Sequence, residues 1–490
     1  MNKPIRTMAI FCTFLFVALM LNATYLQYYK AGALNDDPRN RRVIEAAFSR
    51  ERGAILVGRD PVAESVKSDD QYVFQRTYDR PFEYAPVTGF FSYYSQSGIE
   101  KSQNAVLSGD DSRLFVNRLL DMLSNAEPKG GSVQLTIDPA AQKAAFDGLS
   151  ALGPKVQGSV VAIEPSTGKI LAMVSLPTFD PNRLASHDFQ QVTKSYDRLN
   201  ADPSEPLLNR AIQTRLPPGS TFKLVTAAAA IESGKYDASS MVPGGPTYQL
   251  PLTRGPSGQI DNEGRNCGTD RIPFAQAMEN SCNTTFAALA VEVGADAMLK
   301  QAEAFGFNSH YLDDLGPQAV SNFPKKMDAA QTGQSGIGQF EVSSTPLQMA
   351  MVVAGIANAG TVMRPYAVDE VQTPELEVLD KTPEEDFSKA VSSSTATELT
   401  KLMVSTVDNG TASAAAIPGI SVAGKTGTAQ SGQPDRAPYA WFVSFAPADD
   451  NPKVAVAVMI QNAGIDRAEI AGGVLGGPIA KAVMEAVINK

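Results

Sequence analysis

After Arg6 the chain runs 23 residues, Thr7 to Tyr29, without a charged side chain. As a helix rising about 1.5 Å per residue, such a stretch crosses roughly 30 Å of hydrocarbon. It is longer than the apolar core of a cleaved leader, and Leu21-Asn22-Ala23 is a poor cleavage site. The expectation is an uncleaved, single-pass membrane anchor over residues 7–29. Lys3 and Arg6 precede the run, which puts the tail, residues 1–6, in the cytoplasm. Everything after Lys30 is then extracytoplasmic, and no second apolar run brings the chain back.

The exported part has to fold around its own cores. The 490-residue chain is 43% hydrophobic and 19% charged, enough for two or three packed domains. A net charge of −10 argues against a nucleic-acid partner, which calls for a basic face. Cys12 lies in the anchor. Cys267 and Cys282 lie outside it, where an oxidising compartment permits a disulfide. Their spacing leaves open a bond, two free thiols or a pair of small buried hydrophobes.

Two textures follow the anchor. Residues 30–150 are polar and mixed, with "RERGAILV" at 50–57, a helix expected near Arg113–Asn125, a strand over Ser132–Asp138 and a helix from Pro139. Residues 151–490 begin with "GSVVAIEPSTGKILAMVS" and approach their end with "AWFVSFAPADDNPKVAVAVMIQNA", both of which read as hairpins. Between them, helices are expected over Thr221–Glu232, Pro273–Val293 and Pro346–Ala359, with a last one over Gly476–Lys490. Strands at both ends and helices between predict one α/β (α+β) domain whose sheet is closed by distant segments. The acidic stretch Gln372–Asp386 reads as a solvated excursion.

Catalytic chemistry is narrowed by what is scarce. With only His187 and His310, neither in a His-Glu-x-x-His run, a histidine-based triad and a catalytic zinc both lack support. Each histidine reads as a surface or packing residue. No phosphate-cradling Gly-x-x-x-x-Gly-Lys-Ser/Thr loop occurs, and no metal or cofactor is expected. A serine nucleophile here would need lysine as its base, with the amine's pKa lowered by burial or a second cation. "LPPGSTFKLV" supplies Ser220 and Lys223 three apart on the first turn of an expected helix, so that they share a face.

A lone Ser-x-x-Lys is weak evidence. Ser166-Thr-Gly-Lys169 is another, sitting in a hairpin turn, and Ser102-Gln-Asn104 is a stray Ser-x-Asn. Order and context carry more. Ser281-Cys-Asn283 follows Ser220 by 61 residues, and Lys425-Thr-Gly-Thr428 follows Ser281 by 144, in a strand-like run. A peptide ending in a carboxylate needs what these supply. Asn283 can hold its backbone and Ser281 can relay a proton. Lys425, Thr426 and Thr428 can take the carboxylate, and Gly427 lets the strand come close. The backbone N–H groups of Ser220 and Thr428 suit an oxyanion hole.

In this order the three motifs resemble those of the penicillin-binding proteins, specifically the class B single-activity transpeptidases and most of all their actinobacterial members. The likeness extends to the anchor, "RGAI" at Arg52–Ile55, "LTID" at Leu135–Asp138, "GIGQ" at Gly336–Gln339, "TPLQMA" at Thr345–Ala350 and "WFVSFAP" at Trp441–Pro447. One departure stands out: relatives often have glycine after that glutamine, where this chain has Phe340. The resemblance implies a penicillin-binding transpeptidase domain over 151–490, with a central antiparallel sheet flanked by helices. A smaller pedestal or dimerisation-like domain over 30–150 would precede it.

It further implies a peptidoglycan D,D-transpeptidase that cross-links stem peptides ending in D-Ala-D-Ala through a Ser220 acyl-enzyme. Lys223 would be the base, and β-lactams would acylate Ser220. Partners among cell-wall synthesis or division proteins, and a septal role, follow from the same resemblance. A β-lactamase would need a positioned glutamate to activate water, and no convincing one is present. A D,D-carboxypeptidase differs only in its acceptor. A β-lactam sensor would carry a further transmembrane signalling region.

Overall fold

The computed structural model describes residues 3–31, 34, 48–115, 123–124, 129–432 and 437–489. The helix expected near Arg113–Asn125 falls largely outside them, and Ser112–Leu114 is a short 3-10 turn. At the N-terminus an apolar helix over Lys3–Thr24 continues as a π-helical turn to Tyr29. None of the described residues covers it, and it is long and apolar enough to span a membrane.

The centre of the molecule is a five-stranded antiparallel sheet. Its strands are β1 (Gln157–Ile163), β2 (Ile170–Leu176), β3 (Ala423–Ala429), β4 (Tyr439–Ala446) and β5 (Val454–Asn462), in spatial order β3-β4-β5-β1-β2. Both expected hairpins form, and the two ends of the domain meet where β5 pairs with β1.

Every residue of β4 is buried, which requires cover on both faces. Alternation along the strands divides the cover. Val161, Trp441, Val443, Ala457 and Met459 face one apolar cluster, which includes the helix Pro346–Ala357. Val160, Phe442, Val456 and Val458 face the other, with the helices Pro139–Ser150 and Gly472–Ile488. The period of two thus sorts one set of strands into two cores.

The N-terminal part has its own six-stranded sheet. Ile55–Val57 pairs in parallel with Ser132–Leu135, and Val368–Gln372 returns from far along the chain to join it. Beneath this sheet Glu100 is fully buried between two arginines. Arg52 Nε and Arg76 Nε each donate to it at 2.6 Å, and Tyr78 Oη adds a third contact at 3.1 Å. The Arg52 of the "RGAI" run is therefore a structural ligand of Glu100. Asn104, from the stray Ser-x-Asn, accepts from Arg52 Nη1 at 2.9 Å.

Several expectations are corrected. Pro139–Ser150, capped by Asp138 through Ala140 N and Ala141 N, packs in the catalytic core, because its apolar face has only that sheet to cover. The stretch Gln372–Asp386 is not all loop: Val378–Lys381 pairs with Val368–Gln372 and extends the N-terminal sheet. Its exposed outer edge explains the acidic, polar composition. The helix expected over Pro273–Val293 is two, Phe274–Glu279 and Asn283–Val293, with Ser281 between them at φ 53°. Ser166–Lys169 turns the β1–β2 hairpin as expected, with Lys169 paired to Asp369 at 3.2 Å.

Candidate active site

Ser220 sits on a tight 3-10 turn, Gly219–Phe222, and not on the first turn of the α-helix, which begins at Lys223. The turn is wedged between two neighbours. On one side runs β3, the edge strand of the sheet, and Gly427 lies where they touch. A Cβ there would stand 3.0 Å from Pro218 O and from Thr221 Cγ2. On the other side lies the Gly336–Gln339 loop. Gly219 N donates to Gly338 O at 3.1 Å, and Thr226 Oγ1 donates to Gly336 O at 2.7 Å. Gly338 has φ 71°, and a Cβ on it would fall 2.2 Å from Gly219 O. Only glycine lets the two backbones approach this closely.

The break between the two helices serves the same centre. Ser281, in the left-handed region, turns its hydroxyl inward and is 1% exposed. Two lysines converge on it. Lys425 Nζ donates to Ser281 Oγ at 2.8 Å and to Thr426 O at 2.9 Å. Lys223 Nζ donates to Ser281 O at 2.7 Å, Ser281 Oγ at 3.2 Å and Asn283 Oδ1 at 2.7 Å. Ser220 is not among the acceptors of Lys223, whose three ammonium protons are all engaged. Both lysines are 0% exposed. Burial pushes the Lys223 amine well below the usual lysine range, and the Lys425 and Arg265 cations push it further. Lys425 is lowered the same way, by burial and then by Arg265. A lysine that loses its proton here gains a lone pair beside Ser281.

Cys267 and Cys282 are disulfide-bonded, which settles the alternatives left by their spacing. Cys282 is the middle residue of the Ser-Cys-Asn run, so the bond ties that run to the segment Gln259–Cys267. Asn283 Nδ2 reinforces the tie by donating to Asp261 O at 3.0 Å. This segment brings Asp261, Glu263 and Arg265 to the site. Sequence reasoning missed all three, and a bonded cysteine beside the Ser-x-Asn run was the available clue.

A cavity of about 400 Å³ opens over this centre. Ser220, Ser281, Asn283, Thr426 and Thr428 line it, while Lys223, Lys425 and Gly427 lie behind. Lys425 therefore lies under the wall, and Thr426 and Thr428 present the surface. Thr411, also unforeseen, shares a 2.8 Å hydrogen bond with the Thr426 hydroxyl. His187 lies away from the cavity, hydrogen-bonded to Asp70 and packed among Phe48 and Tyr72. His310 does not line the cavity either.

The likeness to known proteins extends along most of the chain. Residues 158–485 match the family described as penicillin binding protein transpeptidase domain, and residues 52–133 match the penicillin binding protein A dimerisation domain. The chain is 42% identical to the peptidoglycan D,D-transpeptidase PbpA of Mycolicibacterium smegmatis, covering 100% of both chains. It is also 42% identical to that of Mycobacterium tuberculosis, over 100% of this chain and 99% of the other. Among solved structures, the ceftriaxone acyl-enzyme of penicillin-binding protein A from M. tuberculosis superposes with TM-score 0.85 at 41% identity, over 91% of this chain and 100% of that one. The penicillin G acyl-enzyme of the same protein gives 0.83 at 42% identity, over 89% and 99%. With a likeness that runs from the N-terminal sheet through all three motifs, the chain belongs to the class B penicillin-binding protein D,D-transpeptidases.

Proposed function

We propose that Ser220 is the residue acylated in this transpeptidase and that the groups around Ser281 move its protons. In the neutral state the Lys223 amine takes the Ser220 hydroxyl proton as Oγ attacks the carbonyl of the penultimate D-Ala. The carbonyl oxygen becomes an oxyanion, stabilised by the Ser220 and Thr428 backbone N–H groups. Collapse breaks the peptide bond. Ser281 passes the leaving nitrogen a proton from the Lys223–Lys425 pair, and D-Ala departs. An amine from a second stem then attacks the ester, loses its proton by the same route and frees Ser220. β-Lactams enter by the first half of this path.

The observation that carries the assignment is the meeting of Lys223 and Lys425 on one buried hydroxyl beside the cavity that Ser220 lines. It supports proton movement because burial first, and then the Lys425 and Arg265 cations, hold the Lys223 amine well below the usual lysine range. Recognition follows from the edge position of β3. Its place at the edge of the sheet suits it to pair with an extended peptide, as a sheet edge pairs with an added strand. Asn283 faces the same peptide from the other wall. Thr426 and Thr428 bind its terminal carboxylate, with the Lys425 charge behind them.

The N-terminal helix is the single-pass anchor, with Lys3 and Arg6 on the cytoplasmic side. The pedestal docks cell-wall synthesis or division proteins, and the reaction serves the septum. Depletion of the protein with no division defect would count against that role.

The test of the site is covalent labelling of the detergent-solubilised chain with a fluorescent penicillin. Stable labelling of the wild type that is absent in Ser220→Ala is expected. Labelling retained in Ser220→Ala, or rapid loss of label from the wild type, would overturn the assignment.

A further inference from the structure

Phe340 occupies a backbone position that suits glycine. Gln339–Val342 closes as a turn, with Val342 N donating to Gln339 O at 3.3 Å, and Phe340 is its second residue at φ 63°. Turns with positive φ at that position are dominated by glycine, asparagine and aspartate, because a Cβ crowds the neighbouring carbonyl. A bulky side chain there stores strain, and retained strain of this kind concentrates at ligand clamps.

The fold does not call for the ring. Phe340 is 39% exposed and belongs to none of the apolar clusters. It lines the active-site cavity, with Ile337 on the same loop and Ile260 on the facing segment as the other apolar members. Polar and charged side chains make up the rest of the wall. The ring's place relative to Ser220 is also set: the Gly219–Gly338 and Thr226–Gly336 hydrogen bonds fasten the loop to the nucleophile's turn and helix.

We infer that Phe340, backed by Ile337, is a specificity-determining contact for the acyl-side group of the ligand. It takes the aliphatic part of the stem-peptide residue ahead of the D-Ala pair, and the aryl group of a β-lactam side chain in its place. An aromatic face suits both, since it removes apolar area from water and stacks on a second ring. The contact strengthens binding of the acyl donor without touching the reacting atoms. This inference rests on the Ser220 assignment.

The experiment compares two β-lactams on the full-length, detergent-solubilised protein: one with a phenylacetyl side chain, and the same nucleus with that side chain removed. For each, the second-order acylation rate is measured in wild type and in Phe340→Gly. The ratio of the two rates, aryl over unsubstituted, is expected to fall about tenfold in the variant, corresponding to about 1.4 kcal/mol. Phe340→Asn, which tolerates the left-handed backbone but has no ring, is expected to lower the ratio similarly. An unchanged ratio in both variants overturns the inference, even if both rates fall together, since that would be a loop-positioning effect. Failure of the Ser220 assignment has a different signature, because Ser220→Ala would then still be acylated.

Discussion

Lys425 Nζ donates to Ser281 Oγ at 2.8 Å, joining the edge strand of the sheet to the break between two helices. This contact crosses 144 residues of sequence and makes one site of three motifs. Lys223 reaches the same hydroxyl from the nucleophile's helix, and the Lys425 cation helps, after burial, to lower the Lys223 pKa.

Replacing Lys223 with arginine keeps the charge and removes the base, since a guanidinium is not deprotonated in proteins. Loss of a general base slows a step by about 10²–10⁴-fold. Acylation of Lys223→Arg by penicillin should fall within that range while the protein remains folded by circular dichroism. Acylation at the wild-type rate would remove Lys223 from the role.

The acid limb of the acylation profile should track Lys223. Its folded pKa lies well below the ordinary 10.5, through burial first, then Lys425, then Arg265. The neutral amine accumulates as pH rises through that lowered value, so the rate should rise there. Arg265→Gln removes one cation and should move the limb to higher pH, and a limb that stays in place would exclude Arg265 from the field at Lys223. Stability follows the same sign. Between the folded pKa and 10.5 the unfolded chain binds more protons, so the Lys223 contribution grows as pH rises and is lost as pH falls.

The disulfide closes a short loop, its two cysteines standing 15 positions apart. A bridge over a loop of that size is worth about 3 kcal/mol in the loop-entropy account. Cys267→Ser should therefore lower the melting temperature by several degrees. It should also slow acylation, because Cys282 holds Ser281 and Asn283 in register. An unchanged acylation rate with a lowered melting point would limit the bond to stability.

Glu100→Gln should destabilise the N-terminal part. It leaves Arg52 and Arg76 buried without a counter-charge, and breaking a buried pair costs about 3–5 kcal/mol. Urea unfolding of the variant should show that loss, and a shift below 1 kcal/mol (about a fifth to a third of it) would mean the arginines find water.

Gly338→Ala should impair acylation as well as folding. The position needs φ 71°, and the new methyl would meet Gly219 O at 2.2 Å, so the turn carrying Ser220 has to move. A variant with wild-type acylation would show that the loop yields instead.

Much of this site is legible along the chain because its parts are local. An uncharged run long enough for a bilayer, two hairpins with their turns, and three short motifs in order each depend on neighbouring residues. Backbone rules and side-chain chemistry read them directly. Ser220, Ser281, Asn283, Thr426 and Thr428 do meet at one cavity.

What is not local stays hidden. Ser281 breaks a helix that its flanking residues favour, because the lysines it serves lie 58 and 144 positions away. Gln372–Asp386 reads as a solvated excursion, yet Val378–Lys381 within it pairs with Val368–Gln372 and extends a sheet begun at Ile55, whose open edges only the folded chain brings within reach. Arg265 carries no motif and acts through the closeness that a disulfide imposes. The depressed lysine pKa values belong to burial and to the meeting of distant cations. Hydrophobic pattern and motif order thus select the family of fold, whereas long-range packing selects which charges share a dry space, and that packing is a property of the folded chain alone.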